Sequence, residues 1–291
     1  MNKLSLEKQT QIIRLLVEGS SLRSISRIVD VSFNTVLKLL PKVGSACEKF
    51  HTERVLNVSS ERLQCDELWS FCYSKQKNVT NEMPEGAGDV WTWTALDADT
   101  KLMVSWFVGD RSVESANYFM HDVAARLVNR VQLTTDGHHA YLNAIDNAFH
   151  LDIDYAMLIK TYGAAEGKTS TERKYSPNEC TGIKKQIISG EPNKKFISTS
   201  YVERSNLSIR MGNRRFTRLT NAFSKKIENH SHSLSLYFVY YNFCKIHKSL
   251  SVTPAMQAGL MKRVMSIEDI ANLVPIEAPK KRGAYKKKLQ P

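Results

Sequence analysis

The chain has 291 residues, 42% hydrophobic and 24% charged, which suits one sizeable core with a smaller module beside it and argues against disorder as the main state. It has no run of about 18 apolar residues, and "MNKLSLEKQTQ" lacks the apolar segment of a signal peptide, so a cytoplasmic protein without a membrane span is expected. Five scattered cysteines with no CxxC pair speak against a disulfide framework or a zinc cluster, while 41 Lys+Arg against 29 Asp+Glu, a formal charge of +12, favours a polyanionic partner such as nucleic acid.

In "SLEKQTQIIRLLVEG", Leu6, Ile13, Leu16 and Val17 fall on one side of a helix that Ser5 can cap and Gly19 ends. A short helix, "SLRSISRIV", a turn, "DVS", and a third helix, "FNTVLKLL", follow with the spacing of a helix-turn-helix. Asp30 tolerates the left-handed turn, Ser26 is small where helices cross, and Val31, Val36 and Leu39 supply apolar contacts. Ser32 caps the third helix, which points Asn34, Thr35 and Lys38 outward to reach a DNA groove. An ordinary three-helix bundle is the alternative.

From Leu63 the period changes to that of strands. "LQCDELWSFCYSK" is the first, and "VWTWTALDA" and "KLMVSWFVGD" form a hairpin of two central strands about the acidic turn "DADT". "SVESANYFMHDVAARLV" reads as an amphipathic helix capped by Ser112, with Glu114 in its first turn for the helix dipole rather than for chemistry. "VQLTTDGHHAY" holds a short strand ending on Asp136, and "IDYAMLIK" a fifth strand. Residues 161–196 are polar and aperiodic and read as a loop or insertion, after which helices resume near Thr199 and again through "FSKKIENHSHSLSLYFVYYNFCKIH". Between Arg204 and Lys226 the cations Arg204, Arg210, Arg214, Arg215, Arg218, Lys225 and Lys226 stand without a single acid, and the tail "KKRGAYKKKLQP" adds six more.

This is an α/β pattern with two acids, Asp66 and Asp136, on apolar strands. A carboxylate in such a place is costly unless a cation or a metal neutralises it. A third, Glu203, lies on the helix "TSYVERSNLSIRMGNRRFTRL", where Asn206, Leu207 and Arg210 share its face and the following turns carry only positive charge. Two aspartates and a glutamate can hold two magnesium ions, hard cations that prefer oxygen. Such a pair, about 4 Å apart, can activate a water or hydroxyl and stabilise the leaving oxygen of a phosphodiester. Trp69, His138, His139 and Tyr141 lie near these acids; core or wall packing is expected of Trp69 and Tyr141, and neither histidine is expected to be a metal ligand.

The motifs "DELW", "TTDG" and above all "VERSNLSIRMGNRRFTRLTNAFSKK", together with "LRSISRIVDVSFNTVLKLL", make the chain similar to the DDE transposases of bacterial insertion sequences, the insertion-sequence-one family. The resemblance runs from Leu6 to about Leu250. It implies an RNase H-like mixed-sheet catalytic core, residues 60–250 with the insertion inside it, behind an all-α helix-turn-helix domain, residues 1–55, and ahead of a C-terminal segment, residues 251–291. It further implies Asp66, Asp136 and Glu203 as catalytic ligands of Mg2+, for which Mn2+ can substitute. Ser32, Asn34, Thr35, Lys38, Arg210, Arg214 and Arg215 become the DNA contacts, on element ends and target, for a homo-oligomer on DNA in the nucleoid. Many relatives place a cysteine-rich zinc module ahead of the helix-turn-helix, and here the first helix opens the chain. A catalytically silent regulator derived from a transposase, or a structure-specific nuclease on the same fold, are the rival expectations.

Overall fold

The computed structural model describes residues 4–163, 179–217 and 220–275; Arg218 and the basic tail lie outside them. Helix α1 (Leu6–Val17) and α2 (Leu22–Val29) are capped by Ser5 and Ser21, and Asp30 takes φ 52°, the left-handed conformation expected of it. The α3 helix (Phe33–Arg54) begins under the Ser32 cap but continues far beyond Leu40, straight through Pro41. Proline removes one backbone donor there. The helix persists because Val36, Leu39, Leu40, Val43, Gly44, Cys47 and His51 recur at helical spacing and are all buried.

Six strands follow: β1 (Arg62–Cys72), β2 (Gly88–Asp97), β3 (Met103–Gly109), β4 (Val131–Thr135), β5 (Ile153–Gly163) and β6 (Glu179–Ser189). They form one mixed sheet in the order β3-β2-β1-β4-β5-β6. β1, β2 and β3 are antiparallel neighbours, β4 and β5 run parallel to β1, and β6 returns antiparallel to β5. The sheet matches in kind the α/β core expected of the sequence, with two corrections. β3 is an edge strand rather than a central one. Asn242 secures it by accepting from the Met103 N–H (2.9 Å) and donating to the Met103 carbonyl (2.8 Å), doing the work of a missing neighbour strand. Residues 179–189, expected in a loop, are β6; their lysine-rich, mostly exposed pattern carries no apolar alternation, and pairing with β5 makes the strand.

One sheet face packs on α4 (Val113–Arg126) and α5 (Ala140–Phe149), whose inner residues Phe119, Met120, Tyr141 and Ala144 join Cys65, Trp93, Ala95 and Leu133 in one core. α5 was not evident in the sequence. The other face takes α6 (Ser200–Gly212) and α7 (Ile227–Val239), through Val202, Ile209, Leu234 and Phe238 against Leu68, Leu96 and Met103. This two-sided burial follows from the strand alternation of side chains. A π-helical turn, Tyr240–Cys244, extends α7; a single turn, Pro254–Gln257, and α8 (Ile267–Asn272) close the described chain.

The N-terminal helices share this core. α3 crosses α7 so closely at Gly44 that a Cβ there would stand 2.6 Å from the His232 Cα. His51, wholly enclosed, meets the Met103 carbonyl through Nε2 at 3.2 Å, and burial holds its imidazole neutral with a pKa near 3. Among the described residues no helix is long and apolar enough to cross a membrane.

Candidate metal centre

Asp66 and Asp136 meet because of register. β1 and β4 are parallel, with Gln64 beside Thr134, so two residues further along each strand direction Asp66 faces Asp136. This is the carboxyl end of the central parallel strands, where open α/β sheets place their sites. The same counting on β4 and β5, with Thr135 beside Met157, sets Leu158 beside Asp136 and Lys160 two residues beyond it.

Glu203 is brought in from the other side of the chain by a contact that the sequence does not announce. Thr199 occupies the N-cap of α6 but makes no side-chain cap bond. Gln64, buried on β1, supplies it instead: its Oε1 accepts from the N–H groups of Tyr201 (2.9 Å) and Val202 (3.1 Å). The strand that bears Asp66 thus caps the helix that bears Glu203. Asn206, one turn further, is buried and donates from Nδ2 to Asp66 Oδ2 at 2.8 Å, while the Glu67 N–H donates to Asp66 Oδ1 at 2.8 Å. Both oxygens of Asp66 are therefore aimed.

Asp66, Asp136 and Glu203 line one cavity of about 670 Å³ together with Arg111, His138, His139, Lys160, Tyr162 and Thr199. Glu203 is engaged there. Its Oε1 pairs with the Lys160 ammonium and accepts from the Thr199 hydroxyl at 2.6 Å. Among the described residues a different set lies close together: Asp66, Glu67 and Asp136 each offer an oxygen within 4.8 Å of the others. Strand alternation turns successive side chains to opposite faces, so nothing local in the sequence marks Glu67 as a partner of Asp66. Its side chain is almost wholly buried; Oε2 accepts from Arg111 at 3.1 and 3.2 Å, and the carboxylate also interacts with the enclosed Tyr141 hydroxyl. Arg111, stacked 4.8 Å over Trp91, also stands 3.9 Å from Asp136.

The electrostatics match this crowding. Burial, then the charge on Asp136, pushes Asp66 up to about 7 and Glu67 up to about 8. Negative charge here is under-compensated by the chain's own cations. A donor set of carboxylate oxygens alone, crowded at one end of the sheet, fits a hard divalent cation such as Mg2+ or Mn2+.

The remaining expected residues fall into two groups. Ser32, Asn34 and Lys38 are exposed on the first turns of α3 and Thr35 is half-buried, the hydroxyls of Ser32 and Thr35 lying 2.8 Å apart in the cap. On α6, Val202, Ser205, Asn206 and Ile209 face inward, leaving Glu203 exposed and Arg210 half-exposed. Arg214 is half-buried just beyond α6. Arg215 is tied into the fold on one side. Its guanidinium donates to the buried Ser224 Oγ at 2.6 Å, beside the enclosed His230, and burial lowers its pKa to about 10. Arg215 is half-buried, as Arg214 is. Tyr141 is core, as expected, and His138 stacks on Trp93 at 5.7 Å.

Fold and site together define a mixed α/β protein with a cluster of carboxylates at the carboxyl end of its parallel strands. No family model matches the chain, and no curated protein matches it in sequence. Among solved structures it is similar to a Mos1 transposase paired-end complex with left transposon end, at 11% identity over 53% of this chain and 60% of that one, TM-score 0.23. It is also similar to a piggyBac transposase synaptic complex with hairpin DNA, at 10% identity over 97% and 78%, TM-score 0.34. A Mos1 strand transfer complex matches at 10% identity over 81% and 78%, TM-score 0.23. The chain thus spans 60% of the length of the first of these. TM-scores this low fall short of a shared fold, so the chemistry rests on this chain's own residues.

Proposed function

We propose that the protein is a DNA transposase of the DDE kind, which binds the ends of its insertion sequence and cuts and rejoins their phosphodiester bonds with a divalent metal. The observation that carries this reading is the convergence of Asp66, Asp136 and Glu203, far apart in sequence, on one cavity. The motifs around them, similar to those of the insertion-sequence-one family, support it, as does the run of cations after Glu203.

Asp66 and Asp136, with Glu203 or Glu67, would hold the metal. When bound, it would activate a water or a DNA 3′ hydroxyl and stabilise the leaving oxygen. The chain's own residues do the rest. Asn206 and the Glu67 N–H orient Asp66, and Gln64 fixes α6 so that Glu203 faces the cavity. Arg111, held by Glu67, offers a fixed guanidinium at the cavity for a phosphate oxygen. Asn34, Thr35 and Lys38 on α3 read and position the element's ends, and Arg210 and Arg214 grip backbone beyond them.

The test is cleavage of a duplex carrying the inverted repeats that flank the gene, with Mg2+ present. Wild type should cut at the repeat ends, while Asp66→Ala and Asp136→Ala should bind the same DNA and leave it intact. Wild-type rates from either variant would overturn the assignment.

A further inference from the structure

Lys160 holds a position that metal-dependent cleavage by itself does not require. It sits on β5 within the cavity, and its ammonium pairs with Oε1 of Glu203, the oxygen that the Thr199 hydroxyl also reaches. Among the influences on Asp66 it is the cation, opposing the charges of Asp136 and Glu203. The Lys160 side chain is 22% exposed and that of Glu203 43%, so the pair is solvent-screened and exchangeable rather than a sealed structural bridge. Lysine carries a compact charge on a long flexible stem, suited to leaving one anion for another nearby.

We propose that Lys160 is the stand-in cation of Glu203: it holds the carboxylate in place until a divalent ion takes that oxygen, and the displaced ammonium then turns to a DNA phosphate in the same cavity. Metal and DNA binding are thereby coupled through one side chain, each favouring the other by the same factor. This rests on the metal-dependent reading above. No bond is made or broken, and the ammonium keeps its protons throughout.

Two binding experiments on the full chain test it. In the first, Mn2+ is titrated calorimetrically without DNA. Lys160→Met, freed of the competing charge, should bind Mn2+ on the order of fivefold more tightly than wild type, the size expected of an exposed ion pair. Lys160→Arg, which keeps the charge, should stay near wild type. In the second, fluorescence anisotropy follows a labelled duplex with and without Ca2+. Lys160→Met should lose DNA affinity when the ion is present and match wild type when it is absent. Lys160→Gln gives the same readings should the methionine variant fail to fold. Mn2+ affinity in Lys160→Met within about twofold of wild type, or weaker, overturns the stand-in role. A DNA defect that is equal with and without Ca2+ overturns the hand-over to phosphate. A wild-type chain that binds no Mn2+ overturns the metal-dependent reading itself, whereas tight Mn2+ binding indifferent to Lys160 overturns only the present inference.

Discussion

Asp66→Asn should stabilise the metal-free protein at pH 8 and fail to do so near pH 4. The Asp66 carboxyl rises from 3.8 to about 7 on folding, first through burial and then through Asp136. An acid whose folded pKa stands above its unfolded value makes the folded state bind the extra proton, so stability is lost as pH climbs from about 4 to about 7 and stays lost above. Roughly 3 pH units at 1.36 kcal/mol each is a penalty of about 4 kcal/mol. Asp66 is partly open to the cavity although its carboxyl is closely surrounded, and solvent there trims the penalty to about 3 kcal/mol. Asparagine puts an NH2 group at one of the two positions where Asp66 accepts, from the Glu67 N–H and from Asn206, and disturbing that bond costs about 1 kcal/mol. The net gain at pH 8 is about 2 kcal/mol, or roughly 3 °C in Tm. Near pH 4 only the lost bond remains, and the sign reverses. Thermal or urea unfolding in EDTA across that pH range reads the effect, and Mg2+ should stabilise wild type at pH 8 far more than the variant. A variant less stable than wild type at pH 8 in EDTA would refute the argument that the centre is a store of uncompensated charge.

Glu203→Gln should abolish end cleavage at any DNA concentration, whereas Arg210→Ala should give a partial defect that deepens with salt; end cleavage by both across a salt series tells them apart. Gln64→Leu removes the cap of α6 and leaves the N–H of Tyr201 and the buried N–H of Val202 without it, so unfolding measurements should find it about 2 kcal/mol less stable, with Mg2+-dependent cleavage reduced further than stability alone explains. Gly44→Ala forces a Cβ against the His232 backbone and should cost about 2 kcal/mol or more in thermal unfolding. In gel shifts, Asn34→Ala should blunt discrimination for element ends, while Lys38→Ala should weaken binding to all DNA alike.

Much of the frame was legible because local rules set it. Ser5, Ser32 and Ser112 cap where small hydroxyls precede apolar periodicity, Asp30 turns left-handed, and the strand about Asp66 announces itself by its apolar flanks. The acids Asp66, Asp136 and Glu203 could be picked out because charge interrupting an apolar strand, or standing before a run of cations, is a local anomaly. What escaped depends on partners distant in the chain. Gln64 caps a helix 137 residues further on, Lys160 pairs 43 residues away, and Asn206 reaches back 140 residues to Asp66. Glu67 was hidden by the very alternation that exposed its neighbour. β6 owes its extended form to β5, and α3 outlasts Pro41 because of the buried face it shows α7 and the sheet edge. Arg215 read as one more cation in a basic run, and only the structure shows its hydrogen bond to the buried Ser224.

The central claim is that carboxylates from β1, the end of β4 and α6 share one divalent cation centre. Anomalous diffraction from crystals of the wild-type chain grown with Mn2+ tests it most directly. The account predicts an anomalous peak bounded by Asp66, Asp136 and Glu203, with the Lys160 ammonium moved off Glu203, and no peak in Asp136→Ala crystals grown alike. A manganese peak elsewhere, or none in this cavity while the three carboxylates remain as described, would contradict it.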